Sequence, residues 1–336
     1  MPENSTLETS RRAPASQQSQ TIPIPTNSQA IGGQVTLTID GQEVKVPLGT
    51  TILDAARKIG AHIPTLCHHP DLCVAGVCRV CSVEVEGMRT LQAACAFPVS
   101  APIKVKTHTE KVRLARRHIV DLLLSDHYGE CYACRRNNNC ELQSLAKEHG
   151  VDFFRFGHPE KPAHAIDTSS YSVVRDLNKC VLCRRCVRTC IDLQEVGTIE
   201  VVGRSDHSHI KPFLDKPLGG VVCINCGQCI NRCPTGALHA QDHTDEVWAA
   251  IDDPKKHVVI QTAPSPRAAI GESFGLPAGT PLTFELNTAL RRAGFDRVFD
   301  TNFTADLTIL EEGTELLLRL KKALLLREPA AFPQFT

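Results

Sequence analysis

The chain has 336 residues, which is long enough for several domains. Lysine plus arginine and aspartate plus glutamate both number 37, so the formal net charge is zero and gives no electrostatic basis for binding nucleic acid. Apolar runs such as Ala323–Leu326 are far shorter than the roughly 18 residues that span a bilayer, and the polar N-terminus lacks the apolar stretch of a secretory signal. We therefore expect a cytoplasmic protein without membrane insertion.

The first 33 residues (1–33) predict a disordered tail, because they are rich in Ser, Thr, Gln and Pro and show little apolar periodicity. From Gln34 onward, apolar and polar residues alternate on both sides of an Asp40-Gly41 turn. This pattern predicts a β-hairpin at the start of a β-rich unit.

Two helices are predicted after the hairpin. Thr50 or Thr51 caps a short helix over residues 53–59, which Gly60 closes. Apolar residues then recur at helical spacing over Val112–Leu124, which predicts a longer helix.

The C-terminal part, beyond Cys233, contains no further cysteine and alternates strands with helices. The predicted elements are a buried strand at Val258–Gln261, a helix over Leu282–Arg292 that stops at Gly294, a strand at Arg297–Phe299 and a last helix with Leu307, Leu310, Leu317 and Leu318 on one face. We expect this layer to act as a scaffold.

Sixteen cysteines dominate the chemistry of the chain. Thiols stay reduced in the cytosol, so this number in a chain without a signal peptide favours metal binding over disulfides. With three tyrosines and one tryptophan in the chain, we also expect metal binding to contribute to folding.

A tandem CxxCxxCxxxC pattern gives the strongest signal. In each run, three cysteines wrap one four-iron cluster and the distant fourth binds the other cluster, so the assignment is crossed. A zinc site usually offers two separated CxxC pairs instead. One predicted site consists of Cys180, Cys183, Cys186 and Cys233, and the other of Cys190, Cys223, Cys226 and Cys229.

The upstream pattern Cx10CxxCx13C, formed by Cys67, Cys78, Cys81 and Cys95, fits a 2Fe–2S cluster in a β-rich fold. Cys73 introduces an alternative, because Cys73, Cys78 and Cys81 have the plant-type Cx4CxxC spacing. The spacing leaves the choice between Cys67 and Cys73 open.

A fourth group, HxxxCxxCx5C, supplies three cysteines and one histidine for a 4Fe–4S cluster, and comprises His127, Cys131, Cys134 and Cys140. A histidine can replace a thiolate on iron. A single histidine is more often an ordinary core or surface residue, so both interpretations of His127 stay open at this point.

Four arginines, Arg135, Arg136, Arg184 and Arg185, lie beside the predicted ligands. They either offset the charge of thiolate-bound clusters or form a solvated basic face. Phosphate-binding glycine motifs of the GxxxxGK and GxGxxG types do not occur in the sequence, so NADH or NADPH would be bound by another chain.

The cysteine-bearing part resembles the electron-input half of iron-only hydrogenases. The resemblance rests on Pro64-Thr-Leu-Cys-His-His-Pro, on Val77-Cys-Arg-Val-Cys, on the one-histidine motif and on the tandem segment, in that order. The same part is similar to the large cluster-bearing subunit of complex I and to the small diaphorase subunit of NAD-reducing hydrogenases. The resemblance implies that Cys67 is a ligand, that Cys73 is a bystander and that His127 is a ligand.

The C-terminal part resembles the opening of the iron-only hydrogenase catalytic domain, through the stretches 261–265, 269–275, 292–308 and 311–316. In that family, a stretch like Phe332–Thr336 precedes the first ligands of the hydrogen-activating H-cluster. We therefore expect a partial sequence or a prematurely ended gene. Such a chain would be inactive alone, and only a full-length version would hold the H-cluster.

The resemblance implies an α+β multidomain protein. Its predicted parts are a β-grasp 2Fe–2S ferredoxin domain (34–109), a small helical 4Fe–4S domain with one histidine and three cysteines (110–150), a bacterial-type ferredoxin domain with two 4Fe–4S clusters (170–245) and an incomplete α/β catalytic-domain fragment (255–336). The predicted cofactors are one 2Fe–2S and three 4Fe–4S clusters. The predicted electron partners are flavoprotein NAD(P)H dehydrogenase subunits or ferredoxin. The resemblance implies the electron-transfer portion of an iron-only hydrogenase, which would interconvert protons and molecular hydrogen in exchange with NAD(P)H or ferredoxin. A non-catalytic electron-transfer subunit of a diaphorase or complex I-like assembly is the alternative function, and a zinc-organised interaction protein is a third.

Overall fold

The chain forms two units of mixed helix and sheet, Met1–Gln241 and Asp242–Thr336. The computed structural model describes residues 31–127, 131–151, 156 and 164–334. Residues 1–30 of the predicted tail therefore lie outside the described residues. Among the helices described, none is both long and apolar enough to cross a membrane.

The predicted hairpin opens the first unit. Strands β1 (Ile31–Ile39) and β2 (Gln42–Leu48) pair antiparallel. Asp40 and Gly41 between them both have positive φ, 48° and 88°, as a two-residue type I′ turn requires. The first strand begins three residues before the predicted start at Gln34.

Helix α1 (Ile52–Lys58) follows the hairpin. Of the two predicted caps, Thr51 is the one that begins the helix, and its hydroxyl accepts a hydrogen bond from the Asp54 N–H at 3.1 Å. Gly60, with φ of 72°, turns the chain after the helix.

Three short strands complete the first sheet: β3 (Ser82–Val85), β4 (Gln92–Ala93) and β5 (Lys104–Lys106). The strand order is β2-β1-β5-β3-β4, and β5 runs parallel to β1 while the other pairs are antiparallel. The sheet and α1 enclose an apolar core that includes Cys81 and Cys95. Two predicted ligands thus belong to the core of this fold.

Helices α2 (Glu110–Ser125) and α3 (Glu141–Glu148) come next. The first contains the predicted helix 112–124. A second apolar core joins this region to its neighbours in the chain, and we call it the shared core. Its buried members are Leu66, Val80, Val120, Leu142 and Leu145, and Val181 packs against them.

The tandem cysteine region folds into paired short elements: β6 (Val173–Arg175), α4 (Arg185–Arg188), β7 (Ile199–Val202), β8 (His209–Pro212), α5 (Gln228–Arg232) and β9 (Leu238–Ala240). Antiparallel pairing of β6 with β9 closes the region by joining its two ends, and β7 pairs with β8. A π-helical turn, Thr189–Leu193, continues α4.

The second unit consists of α6 (Thr244–Ile251), β10 (Val259–Thr262), α7 (Pro264–Ala269), α8 (Thr283–Ala293), β11 (Arg297–Asp300) and α9 (Thr301–Leu320). Strands β10 and β11 are parallel. Gly294 ends α8 in the left-handed conformation, with φ of 114°, as expected of a helix-stopping glycine.

The prediction of a buried strand near Val258 was wrong in one respect. The strand exists, but Val259 is 50% exposed, because in the described residues β10 pairs with β11 alone. The four leucines predicted to share one face of the last helix are also exposed, by 49–68%. The second unit therefore presents an apolar surface.

Candidate metal centres

The first predicted site lies between the loop after α1 and the first sheet. Cys67, Cys81 and Cys95 are buried, and Cys78 is half-buried. The thiols of Cys81 and Cys95 are 3.4 Å apart. Hydrogen bonds from Cys78 and Cys95 lower the pKa of Cys67, so these thiols are in mutual contact. Four sulfur atoms in one buried group fit a 2Fe–2S cluster.

Cys73 points elsewhere. It is exposed, and its thiol donates a hydrogen bond to the Asp192 carboxylate at 3.0 Å. Burial and this carboxylate raise the pKa of Cys73. The structure thus groups Cys67, and not Cys73, with the other three cysteines of the first site.

The second predicted site lies at the end of α2. His127 is 6% exposed, and its main-chain N–H donates to the Leu124 carbonyl at 3.1 Å. Its side chain lines a pocket together with Cys131, Cys134 and Cys140, and the empty volume is ≈ 350 Å³, open solvent included. The structure therefore brings the four predicted side chains around one space.

The tandem cysteines surround two further pockets, and their grouping is the crossed one. A pocket with an empty volume of ≈ 460 Å³ is lined by Cys180, Cys183, Cys186 and Cys233. A pocket of ≈ 510 Å³ is lined by Cys190, Cys223, Cys226 and Cys229. Within the described ranges, no three His, Cys, Asp or Glu side chains are grouped so as to hold a single metal ion.

The two tandem loops share one backbone conformation. The residue just before the second cysteine of each loop has positive φ, Leu182 at 51° and Asn225 at 54°. The residue just after that cysteine also has positive φ, Arg184 at 60° and Gly227 at 69°. Left-handed residues within a tight loop can turn neighbouring main-chain N–H groups toward a concavity that suits an anion, including an iron–sulfur cluster. The sequence repeat is therefore also a structural repeat.

Burial makes these thiols poor acids on their own. It raises the pKa of Cys180 to about 11 and that of Cys183 to about 12, and the N–H groups of Leu182 and Arg185 oppose this by hydrogen bonding to the two sulfurs. At neutral pH the free thiols stay protonated. Iron binding must therefore release protons from the site.

The four arginines beside the predicted ligands separate into two kinds. Arg135 and Arg184 are exposed. Arg136 donates to the Cys233 carbonyl at 3.1 Å. Arg185 is buried and pairs with both carboxylate oxygens of Glu141, at 2.6 and 2.8 Å. Burial thus argues against a solvated face for Arg185, whereas Arg184, although exposed, also lines the pocket of Cys180, Cys183, Cys186 and Cys233.

Two features of the sites lacked a recognised sequence signal. Gly236 lies so close to the second site that a Cβ atom there would be 2.5 Å from the Cys134 sulfur. Lys179 lines the same pocket. The Pro-Thr-Gly run that follows Cys233 is the signal that would have directed attention to Gly236.

Four family models match the chain in succession. They describe a 2Fe-2S iron-sulfur cluster binding domain (residues 32–110), an NADH-ubiquinone oxidoreductase-G iron-sulfur binding region (116–155), an NADH-quinone oxidoreductase subunit 3 ferredoxin-like domain (171–239) and the C-terminal domain of the iron only hydrogenase large subunit (256–335). The chain therefore contains 2Fe–2S and 4Fe–4S binding domains together with a hydrogenase domain.

Similar proteins agree with these family models. NADP-reducing hydrogenase subunit HndD of Solidesulfovibrio fructosivorans is 46% identical over 295 residues, which is 86% of this chain and 50% of the relative. Iron hydrogenase 1 of Clostridium pasteurianum is 35% identical over 303 residues, 90% of this chain and 51% of the relative. The chain is thus similar to iron-only hydrogenases over most of its length, and residues 256–335 match the model of their C-terminal domain. It spans about half the length of these two hydrogenases.

The cysteine-bearing part of the chain is also similar to proteins other than iron-only hydrogenases. The mitochondrial NADH-ubiquinone oxidoreductase 78 kDa subunit of Candida albicans is 32% identical over 212 residues, 62% of this chain and 29% of the relative. A solved chain of an NAD+-reducing [NiFe]-hydrogenase in the H2-reduced state matches with a TM-score of 0.58 and 31% identity, over 62% of this chain and 87% of that one.

Proposed function

We propose that this chain is the iron–sulfur electron-transfer portion of an iron-only hydrogenase that interconverts protons and molecular hydrogen. The observation that carries the proposal is the grouping of sixteen predicted ligand side chains into four separate sets, one around the sulfur contacts of the first site and three around pockets. The match to a hydrogenase C-terminal domain over residues 256–335 supports hydrogen as the substrate.

The proposed ligands follow from these sets. Cys67, Cys78, Cys81 and Cys95 would hold a 2Fe–2S cluster, and His127 with Cys131, Cys134 and Cys140 a 4Fe–4S cluster. The two crossed sets of tandem cysteines would hold one 4Fe–4S cluster each. Iron–sulfur clusters at these sites would supply one-electron carriers. The proposed domains are 34–109, 110–150, 170–245 and 255–336.

The protein's own contribution is to bind and shield these groups. Thiols and one imidazole provide the ligands, main-chain N–H groups point to the sulfurs, and the apolar cores limit access of water. Hydrogen bonds to sulfur and burial are among the factors that set the potential of an iron–sulfur site. We propose flavoprotein NAD(P)H dehydrogenase subunits or ferredoxin as electron partners. The relatives' names, which mention NADP and NADH, support the NAD(P)H-linked partner.

Anaerobic reconstitution of the chain with iron and sulfide tests the proposed sites. We expect about 14 iron atoms per chain, from one two-iron and three four-iron clusters. His127→Ala should perturb one four-iron signal in electron paramagnetic resonance and leave the two-iron signal intact, whereas His108→Ala on an exposed residue should change neither. Zinc in place of iron, with no visible absorbance, would overturn the proposal.

A second candidate function is a non-catalytic electron-transfer subunit. It is favoured by the solved [NiFe]-hydrogenase chain and by the ubiquinone oxidoreductase 78 kDa subunit, both of which match the cluster-bearing part. Hydrogen evolution from a reduced dye, measured with the full gene product after maturation, separates the two functions. Evolution supports the hydrogenase, and its absence in a protein with loaded clusters supports the non-catalytic role.

A further inference from the structure

Arg188 lies at the end of α4, 8% exposed, between two predicted metal sites. Its guanidinium donates to the carbonyl of Cys67 at 2.6 Å, to the carbonyl of Cys183 at 3.4 Å and to the carbonyl of Cys73. Its Nε donates to the carbonyl of Arg184 at 3.2 Å. One side chain thus joins the backbone of a first-site ligand to that of a tandem-loop ligand.

The two loops that meet at this guanidinium are far apart in sequence, since 121 positions separate Cys67 from Arg188. A second contact joins the same segments, because the thiol of Cys73 donates to the carboxylate of Asp192 at 3.0 Å. Packing of Val181 against the shared core is a third. The junction therefore rests on contacts of three different kinds.

The neighbouring Arg185 provides a useful contrast. Its charge is neutralised by the Glu141 carboxylate, and it donates to the His68 carbonyl at 2.9 Å. The four oxygen acceptors of Arg188, in contrast, are uncharged carbonyls, and the Cys73 thiol is a further hydrogen-bond partner. A buried cation without a carboxylate among its acceptors is costly in an apolar interior, unless negative charge lies nearby. The Asp192 carboxylate bonds to the same Cys73 thiol, and thiolate-bound clusters at the two sites would add further negative charge.

We infer that Arg188 is a positioning residue that holds the Cys67–Cys73 loop against the loop of Cys183, and that it sets both the spacing and the reduction potentials of the two metal sites on either side. The inference rests on the proposed function, because it requires clusters at these sites. The planar guanidinium can bind several carbonyls in fixed directions at once, whereas a lysine ammonium provides the same charge as a single point.

Three variants of the reconstituted chain test the inference. Arg188→Gln removes both the charge and the planar donor group, and Arg188→Lys keeps only the charge. Arg184→Gln is the matched control, because it removes an exposed charge from the same loop. Iron and sulfide are counted first, and the magnetic interaction between the reduced two-iron and four-iron centres and their potentials are then measured by electron paramagnetic resonance during redox titration.

We expect Arg188→Gln to weaken the magnetic interaction and to lower both potentials, since loss of a positive charge disfavours the reduced state. A tenfold change in the reduction equilibrium would appear as about 59 mV for a one-electron couple. Arg188→Lys should keep the potentials near those of the parent but show the weaker interaction. Arg184→Gln should match the parent in the magnetic interaction.

Two results would overturn the inference: a loaded Arg188→Gln chain with the interaction and potentials of the parent, or an Arg188→Lys chain with the interaction fully restored. If Arg188→Gln does not take up iron, the magnetic interaction in Arg188→Lys decides. An interaction weaker than in the parent supports the inference, and a fully restored one overturns it. A parent chain that binds no iron would instead refute the proposed function itself, so the two failures are distinguishable.

Discussion

Replacement of Gly236 by alanine gives a sharp test of the second site. The added Cβ would lie 2.5 Å from the sulfur of Cys134 and 3.4 Å from Cδ of Lys179. Carbon atoms in contact prefer about 3.5–4.0 Å, so the methyl group and the sulfur overlap by roughly 1 Å or more. Either the sulfur or the backbone must move.

The energetic consequence follows from this overlap. Overpacking of this kind typically costs about 1–3 kcal/mol. An unligated Cys134 side chain could relieve the strain by rotating, but a sulfur bound to iron could not. Because about 1.4 kcal/mol is a factor of ten, Gly236→Ala should weaken retention of iron at this site roughly 5- to 150-fold.

Iron analysis and electron paramagnetic resonance of the reconstituted chain measure the effect. We expect Gly236→Ala to fall from about 14 to about 10 iron atoms per chain, with loss of one four-iron signal. Gly220→Ala is the matched control, since its Cβ would lie at an ordinary 3.6 Å from Pro217. A Gly236→Ala chain with full iron and unchanged signals would refute the geometry proposed for the second site.

Three further predictions concern the first site, its core and pH. Cys73→Ala should keep all iron, whereas Cys67→Ala should lose about two iron atoms per chain. Leu37→Ala, at a position 1% exposed, should lower the free energy of unfolding in urea by about 2–5 kcal/mol, against about 0.5 kcal/mol or less for Leu307→Ala on exposed α9. Burial lowers the pKa of His149 below 6.5, so the unfolded chain binds more protons and stability falls as pH drops through that value. His149→Gln should therefore lose less stability than the parent between about pH 7 and about pH 5.

Each of these has a clear contrary outcome. Iron loss in Cys73→Ala would restore the plant-type spacing as the ligand pattern. Equal effects of the two leucine substitutions would contradict the assignment of the core. An unchanged pH dependence in His149→Gln would show that other groups account for the acid sensitivity.

The sequence predicted those features that depend on local pattern. The hairpin with its Asp40-Gly41 turn and the Gly294 helix stop were confirmed, because each follows from residue period or from backbone freedom at one position. The predicted and observed ends of the helices and strands differ by at most three residues. The crossed grouping of the tandem cysteines also followed from spacing, since a tight loop can present only three of its four thiols to one cavity.

The sequence did not predict features that depend on distant contacts. Strand β5 has three residues and pairs with β1 in parallel, and such a short segment carries no readable period. Arg185 and Arg188 were not distinguishable from their exposed neighbour Arg184, because burial depends on which loops fold over them. Spacing alone left the choice between Cys67 and Cys73 open; the family resemblance implied Cys67, and the structure groups Cys67 with the other three cysteines of the first site.

The shared core limits which segments of such a chain can be transferred between genes. Leu66, Val80, Leu142 and Val181 come from the segments of three different predicted metal-binding domains, yet they pack in a single apolar group. A gene fusion that transferred one of these segments alone would expose apolar side chains that its neighbours now cover. The three segments should therefore pass between proteins as one block.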